Sequence, residues 1–199
     1  MKKGERTRRR IVERSAPVFN TKGYAGASMS DLVLVTGLEK GGIYNHFSSK
    51  EELALEAFDY AAGIMRERFR EALETEGGAL ERLFAVIDVL GAVAGDPPVA
   101  GGCPVLNTAV ESEGVHPALK ERAAAATGGW LRLVGREVKE GVKSGELSPR
   151  ADPRAVASVV VATLEGAVML TRLHDDPAHM QRAVRHLKDH LRSLAPGEA

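Results

Sequence analysis

The chain has 199 residues, 44% of them hydrophobic and 5% aromatic, and its 27 Lys and Arg balance 27 Asp and Glu. That hydrophobic share builds a real core, and the scarcity of aromatics favours helices packed at close range over a sheet-rich fold. The single Cys103 excludes an internal disulfide framework and fits a reducing compartment.

No apolar run follows Lys2-Lys3, so no signal peptide is expected. The longest uncharged apolar run, Ala155 to Leu164, stops at Glu165, short of the roughly 18 residues a membrane span needs. The expectation is a soluble cytoplasmic protein. The zero net charge hides a split: residues 1–50 hold 10 Lys and Arg against 4 Asp and Glu, net +6, and residues 51–199 hold 17 against 23, net −6. A compact basic head on an acidic body is the charge pattern of a partner for phosphate backbones.

Residues 1–6 read as a frayed, charged end. Thr7 to Thr21 reads as a first helix, with Ile11, Ser15, Val18 and Phe19 on one face. Pro17 interrupts that pattern and predicts a kink near residues 13–16. Arg8, Arg9 and Arg10 cluster at the helix start. They read equally well as phosphate or minor-groove contacts and as a solvated basic terminus.

Ser28 to Lys50 reads as two short helices joined by a tight turn. Ser28 suits the N-cap, and Met29, Leu32 and Val33 follow at helical spacing. Gly37 ends that helix in a left-handed conformation, with Leu38 tucked under the turn. A second helix over Lys40 to Phe47 buries Ile43 and Phe47, four residues apart. It leaves Lys40, Gly41, Gly42, Tyr44, Asn45 and His46 outward, a polar and basic face that suits the DNA major groove. Spacing alone fits a surface hairpin of a helical bundle equally well.

The wording is more specific than the spacing. Gly23-Tyr24, Asp31-Leu32, the run from Gly37 to Phe47 and Ser49-Lys50-Glu51-Glu52-Leu53 together resemble the helix-turn-helix of the TetR family of transcriptional repressors. Two departures stand out. Glu39 occupies a position where Ser or Thr is commoner, which removes an ordinary hydroxyl cap from the second helix. Val33-Leu34-Val35 replaces smaller residues and predicts bulkier packing.

Beyond the motif, Ser49 caps a long helix to about Glu74, broken at Gly77-Gly78. Helices over Leu80 to Val93 and Cys103 to Glu113 flank a loop from Gly95 to Gly102. Gly114 and His116-Pro117 interrupt, and Pro117 opens a helix to about Lys143. The last two helices span Ala155 to Leu173 and Ala178 to Leu194, and the final five residues read as disordered. The expected fold is all-α, with about nine helices and no strand. The expected domains are 1–50 for DNA and 51–199 for effector binding and dimerisation.

The helix over 155–173 is apolar on all sides, which requires burial on all sides. The economical solution is a second subunit, with Ala162, Gly166 and Ala167 allowing close approach and Met180, Val184, Leu187 and Leu191 of the last helix joining that surface. The family resemblance implies the same homodimer. His186 and His190 stand four apart but read as surface residues, and Cys103 as a small packed residue. No Ser-His-Asp order, HExxH, P-loop or GxGxxG is present, so no catalysis, cofactor or metal is expected.

The resulting expectation is a DNA-binding regulator of a palindromic operator. Lys40 is the expected base reader, with Gly41, Gly42 and Asn45 beside it. The resemblance places phosphates on Tyr44, His46 and Lys50, and Ser28 and Ser30 add the start of the first motif helix. The resemblance also implies an effector pocket for a small, largely hydrophobic ligand. Its candidate lining is Ile64, Met65, Phe84, Ile87, Leu90, Trp130 and Leu133, with Asn107, Thr108 and Glu165 as polar anchors. Each of these apolar residues reads as well as plain core. The competing readings are a DNA binder without a small-molecule effector and a small helical carrier or enzyme.

Overall fold

The computed structural model describes residues 3–74, 77–113 and 115–196. Gly114 of the expected break, and parts of the expected frayed start and disordered tail, lie outside the described residues. Among those described there are nine α-helices and no strand. They are α1 (Lys3–Gly26), α2 (Met29–Thr36), α3 (Lys40–Tyr44), α4 (Lys50–Leu73), α5 (Ala79–Ala92), α6 (Pro104–Ser112), α7 (Pro117–Ser144), α8 (Pro153–His174) and α9 (Ala178–Ser193). The chain forms two compact units, Met1–Met65 with Pro97–Ala125, and Arg66–Asp96 with Ala126–Ala199. Helices α4 and α7 run through both.

In the first unit, α1 starts at Lys3, where a frayed end was expected, and runs through Pro17. The expected kink at residues 13–16 is absent: the only non-helical residue within α1 is Gly23, with φ +73° and ψ 171°. Proline costs the helix one hydrogen bond without breaking it. The break at Gly23 has a specific anchor. The Glu111 carboxylate of α6 accepts hydrogen bonds from the N–H groups of Tyr24 (2.9 Å) and Ala25 (3.0 Å). A Cβ on Gly23 would lie 2.5 Å from a Glu111 oxygen, so both the backbone conformation and the close approach require glycine.

The first unit's core holds Ile11, Val12, Val18, Ala27, Leu32, Ile43, Phe47 and Leu53 together. Leu32, Ile43 and Phe47 are thus fixed from one side, as their spacing predicts. Asn107 ties α6 to α1, donating to the Asn20 backbone oxygen at 3.1 Å and to that of Gly101 at 2.8 Å.

In the second unit, α5, α8 and α9 pack on one another. Leu83, Ile87 and Leu90 of α5, Val160, Leu164 and Val168 of α8, and Leu187 and Leu191 of α9 are all buried. Helix α9 was expected to present Met180, Val184, Leu187 and Leu191 to a second subunit. Instead Met180, Leu187 and Leu191 are buried within the chain, and a Cβ on Gly91 of α5 would lie 2.7 Å from Val184. Their apolar face covers α5.

Helix α8 is long and apolar enough to cross a membrane by length and composition, with mean hydropathy 1.6 in its most apolar window. Here it serves as a packing helix, with Val156, Val160, Leu164, Ala167 and Val168 inward. Its opposite stripe is uncovered in the single chain: Val159 is 49%, Met169 53% and Leu173 71% exposed.

Candidate nucleic-acid interface

The geometry of the site follows from the two caps of α2. Ser28 Oγ accepts the Asp31 N–H at 3.1 Å, and the Asp31 carboxylate accepts the Ser28 N–H at 2.9 Å, a reciprocal capping box. At the other end Gly37 adopts φ +67° and donates its N–H to the Val33 carbonyl at 2.9 Å. The turn then delivers α3, whose N-cap Glu39 makes no side-chain capping hydrogen bond, as the missing hydroxyl predicted.

Helix α3 is shorter than expected, ending at Tyr44 rather than Phe47. The His46 and Phe47 N–H groups both bond the Ile43 carbonyl, at 2.9 and 3.1 Å, which tightens the end into a turn. Phe47 is still only 1% exposed. Outward lie Lys40, Gly41, Tyr44 and Asn45, with Gly42 and His46 half-buried. The Lys40 ammonium sits 6.0 Å from the Tyr44 ring centroid, and Lys50 stacks over Tyr24 at 4.5 Å. Ser28 and Ser30 are exposed at the start of α2. The expected DNA residues therefore all lie in the first unit, and Lys40, Gly41, Tyr44 and Asn45 form its exposed α3 face. Bulky Val33 and Val35 pack partly against the core, whereas Leu34 is 81% exposed.

Arg8 does not belong to that face. Its guanidinium bonds the His46 carbonyl and the carboxylates of Glu52 (2.5 Å) and Glu56, and stacks on Phe47 at 4.1 Å. It staples α1 to the end of α3 and the first turns of α4. Arg9 pairs with Glu13 at 2.7 Å, while Arg10 is exposed and has no ion-pair partner among the described residues. The basic cluster is thus one structural arginine, one intrahelical pair and one open cation. Arg8→Ala is expected to lower stability by about 2 kcal/mol, through hydrogen bonds to charged groups left unmade. Urea unfolding measures this.

Two carboxylates of the unit are held well below their ordinary range. Lys22 first, then the Ser28 hydrogen bonds, bring Asp31 to about 2. Ser48 first, then Arg8, bring Glu52 to about 2. A carboxyl depressed on folding stabilises fully above its unfolded value, near 4, and loses that contribution as pH falls through its folded value. The Asp31→Asn, Glu52→Gln double variant is therefore expected to lose less stability between pH 4 and 2 than the natural chain, read by circular dichroism. An identical acid limb contradicts these assignments.

The effector candidates fall in several surroundings among the described residues. Met65, Ile87, Leu90 and Trp130 are buried core, the last edge-on to Phe69 at 6.0 Å. Ile64 packs beside Ala57 and Ala61 in the first unit. Phe84 lies under the cations of Lys188 and Arg192, and Leu133 and Glu165 are half-buried in the second unit. Asn107 spends its amide on the Asn20 and Gly101 backbone oxygens and on Asn20 Oδ1. Thr108 alone of the ten lines the first unit's cavity, with Phe19, Phe58 and Glu111, and that cavity is only about 30 Å³.

The comparisons with known proteins decide the family. Residues 11–57 match the model of bacterial regulatory proteins of the tetR family, and residues 79–187 match the tetracyclin repressor-like C-terminal domain. The chain belongs to the TetR family. A TetR transcriptional regulator from Chloroflexus aurantiacus J-10-FL is 45% identical, with 96% of each chain covered and a TM-score of 0.92. One from Cytophaga hutchinsonii is 33% identical, covering 100% of this chain and 99% of that one, with a TM-score of 0.91. The A-factor receptor protein of Streptomyces griseus is 26% identical over 191 residues, and the match spans 93% of this chain but 62% of that protein. This TetR-family chain is a DNA-binding transcriptional regulator, and its homologues are regulators rather than enzymes. Sequence reading found the caps and the outward face of α3. It missed the Arg8 staple and the Glu111 anchor, because both join residues more than 35 positions apart.

Proposed function

We propose that this regulator is a cytoplasmic homodimeric repressor, without catalysis of its own, that reads a palindromic operator. The carrying observation is the face of α3: Lys40, Gly41, Tyr44 and Asn45 point outward while Ile43 and Phe47 anchor the helix beneath them. Lys40 reads a base edge, with Gly41, Gly42 and Asn45 lying against the groove floor. Tyr44, His46, Lys50, Ser28 and Ser30 hold phosphates. Residues 1–50 act as the reading head and residues 51–199 as the sensing and dimerising body. The uncovered apolar stripe of α8 supports dimerisation.

Release by a small, largely hydrophobic ligand is the favoured regulation, supported by the Streptomyces griseus relative named as a receptor. A specific observation favours a second reading, a DNA binder without such a ligand. Four of the candidate pocket residues, Met65, Ile87, Leu90 and Trp130, are packed as core, and the cavity that Thr108 lines, about 30 Å³, holds little more than one water. A titration separates the two readings: operator-bound protein is challenged with a panel of apolar metabolites while Trp130 fluorescence and DNA release are followed together. A compound that shifts both identifies the effector, while no release by any compound favours the second reading.

A further inference from the structure

We propose that the groove between α7 and α8 is a binding site for an organic anion with an apolar body. The groove encloses about 570 Å³, within the roughly 300–1,000 Å³ range of small-molecule sites. It lies wholly in the second unit, and none of the ten effector candidates lines it. Three exposed cations stand on its walls: Arg132 and Lys139 from α7 and Arg154 from α8. None of the three has an ion-pair partner among the described residues.

The other charged groups of the groove are already engaged. Arg136 bonds Glu137 at 2.8 Å, and Glu140 lies 3.8 Å from Lys143. The uncompensated cations are notable because residues 51–199 carry net −6. Three like charges on one rim raise the local potential for an anion, with Glu140 the one carboxylate among the groove's lining residues. The start of α8 adds no anion site, because the Asp152 carboxylate already accepts the Arg154 N–H at 2.9 Å.

Between the cations the groove offers apolar surface from Leu131, Pro153 and Ala157. Gly135 forms part of the same wall, and a Cβ there would lie 3.5 Å from the Pro153 carbonyl oxygen, so α8 enters close against α7. A bare inorganic anion leaves that surface unused. A carboxylate, sulfonate or phosphate on an apolar body uses both features.

The test uses the full chain and two fluorescent probes of matched shape. One is the anionic 1-anilinonaphthalene-8-sulfonate, and the other its uncharged relative N-phenyl-1-naphthylamine. Lys139→Glu with Arg154→Glu is expected to weaken the anionic probe by about tenfold, since two attractions become repulsions, and to leave the neutral probe within about twofold. A control pair with the same charge change on α9, Arg182→Glu with Arg185→Glu, is expected to leave both probes unchanged. The neutralising pair Lys139→Gln with Arg154→Gln should give an intermediate loss. Anionic-probe affinity unchanged in the groove variants overturns the proposal, as does equal loss in the α9 control. Parallel loss of the neutral probe also overturns it.

Discussion

Lys40→Ala is expected to weaken operator binding by about 1–3 kcal/mol and to cost much less on random duplex DNA, because a lysine at a base edge discriminates while a phosphate contact does not. The structure explains why Lys40 is the residue to remove. It is exposed at the first position of α3, it has no ion-pair partner among the described residues, and its ammonium touches the Tyr44 ring only from 6.0 Å. Removing it leaves Ile43 and Phe47 packed, so the fold is retained. Lys50 is the contrast. It is half-buried over Tyr24, and Lys50→Ala should weaken all sequences alike and reduce the salt slope by about one counterion. Titration of both variants on operator and random DNA at several salt concentrations separates the roles. Equal losses on the two DNAs for Lys40→Ala would remove it from base reading.

The second large effect concerns assembly. Gly166→Arg and Ala162→Arg are expected to convert the proposed dimer to a folded monomer at micromolar concentration, because a charge in a dry interface without a partner costs several kcal/mol. In the single chain a Cβ at Gly166 meets no atom within 4 Å, and Ala162 is exposed. An arginine at either position therefore fits the monomer, and its effect reads the interface rather than the core. Sedimentation measures the mass, and circular dichroism shows that helix content is kept. A dimer that survives both substitutions places the subunit contact elsewhere than the α8 stripe.

How much of this was legible in the chain varies with the range of the interaction. Ser28, Gly37 and Pro117 mark helix ends through their own chemistry, and each end lies where its residue implied. Ile43 and Phe47 were readable from spacing, because burial of one face depends only on period. Arg8 was not. An arginine near a helix start looks the same whether it faces phosphate or carboxylates 44 and 48 residues away, and only the fold brings Glu52 and Glu56 to it. Met180, Leu187 and Leu191 show the same limit from the apolar side. Periodicity says that a face is covered, not whether α5 or another subunit covers it. Pro17 carries a further lesson, since a proline weakens a helix locally but the break occurs at Gly23, where Glu111 holds the turned backbone.

The proposed operator recognition requires a twofold pair of α3 helices on one DNA, and half-site spacing tests that most directly. An operator selected from random duplexes is compared with versions carrying insertions of about 5 and about 10 base pairs at its centre, roughly half a helical turn and one full turn. Mass and affinity of the complexes are measured by sedimentation and titration. The expected result is two chains per duplex on the natural spacing and strong loss for the half-turn insertion, where the second half-site rotates to the far side of the DNA. One chain per site, or affinity indifferent to the half-turn insertion, would contradict the twofold reading.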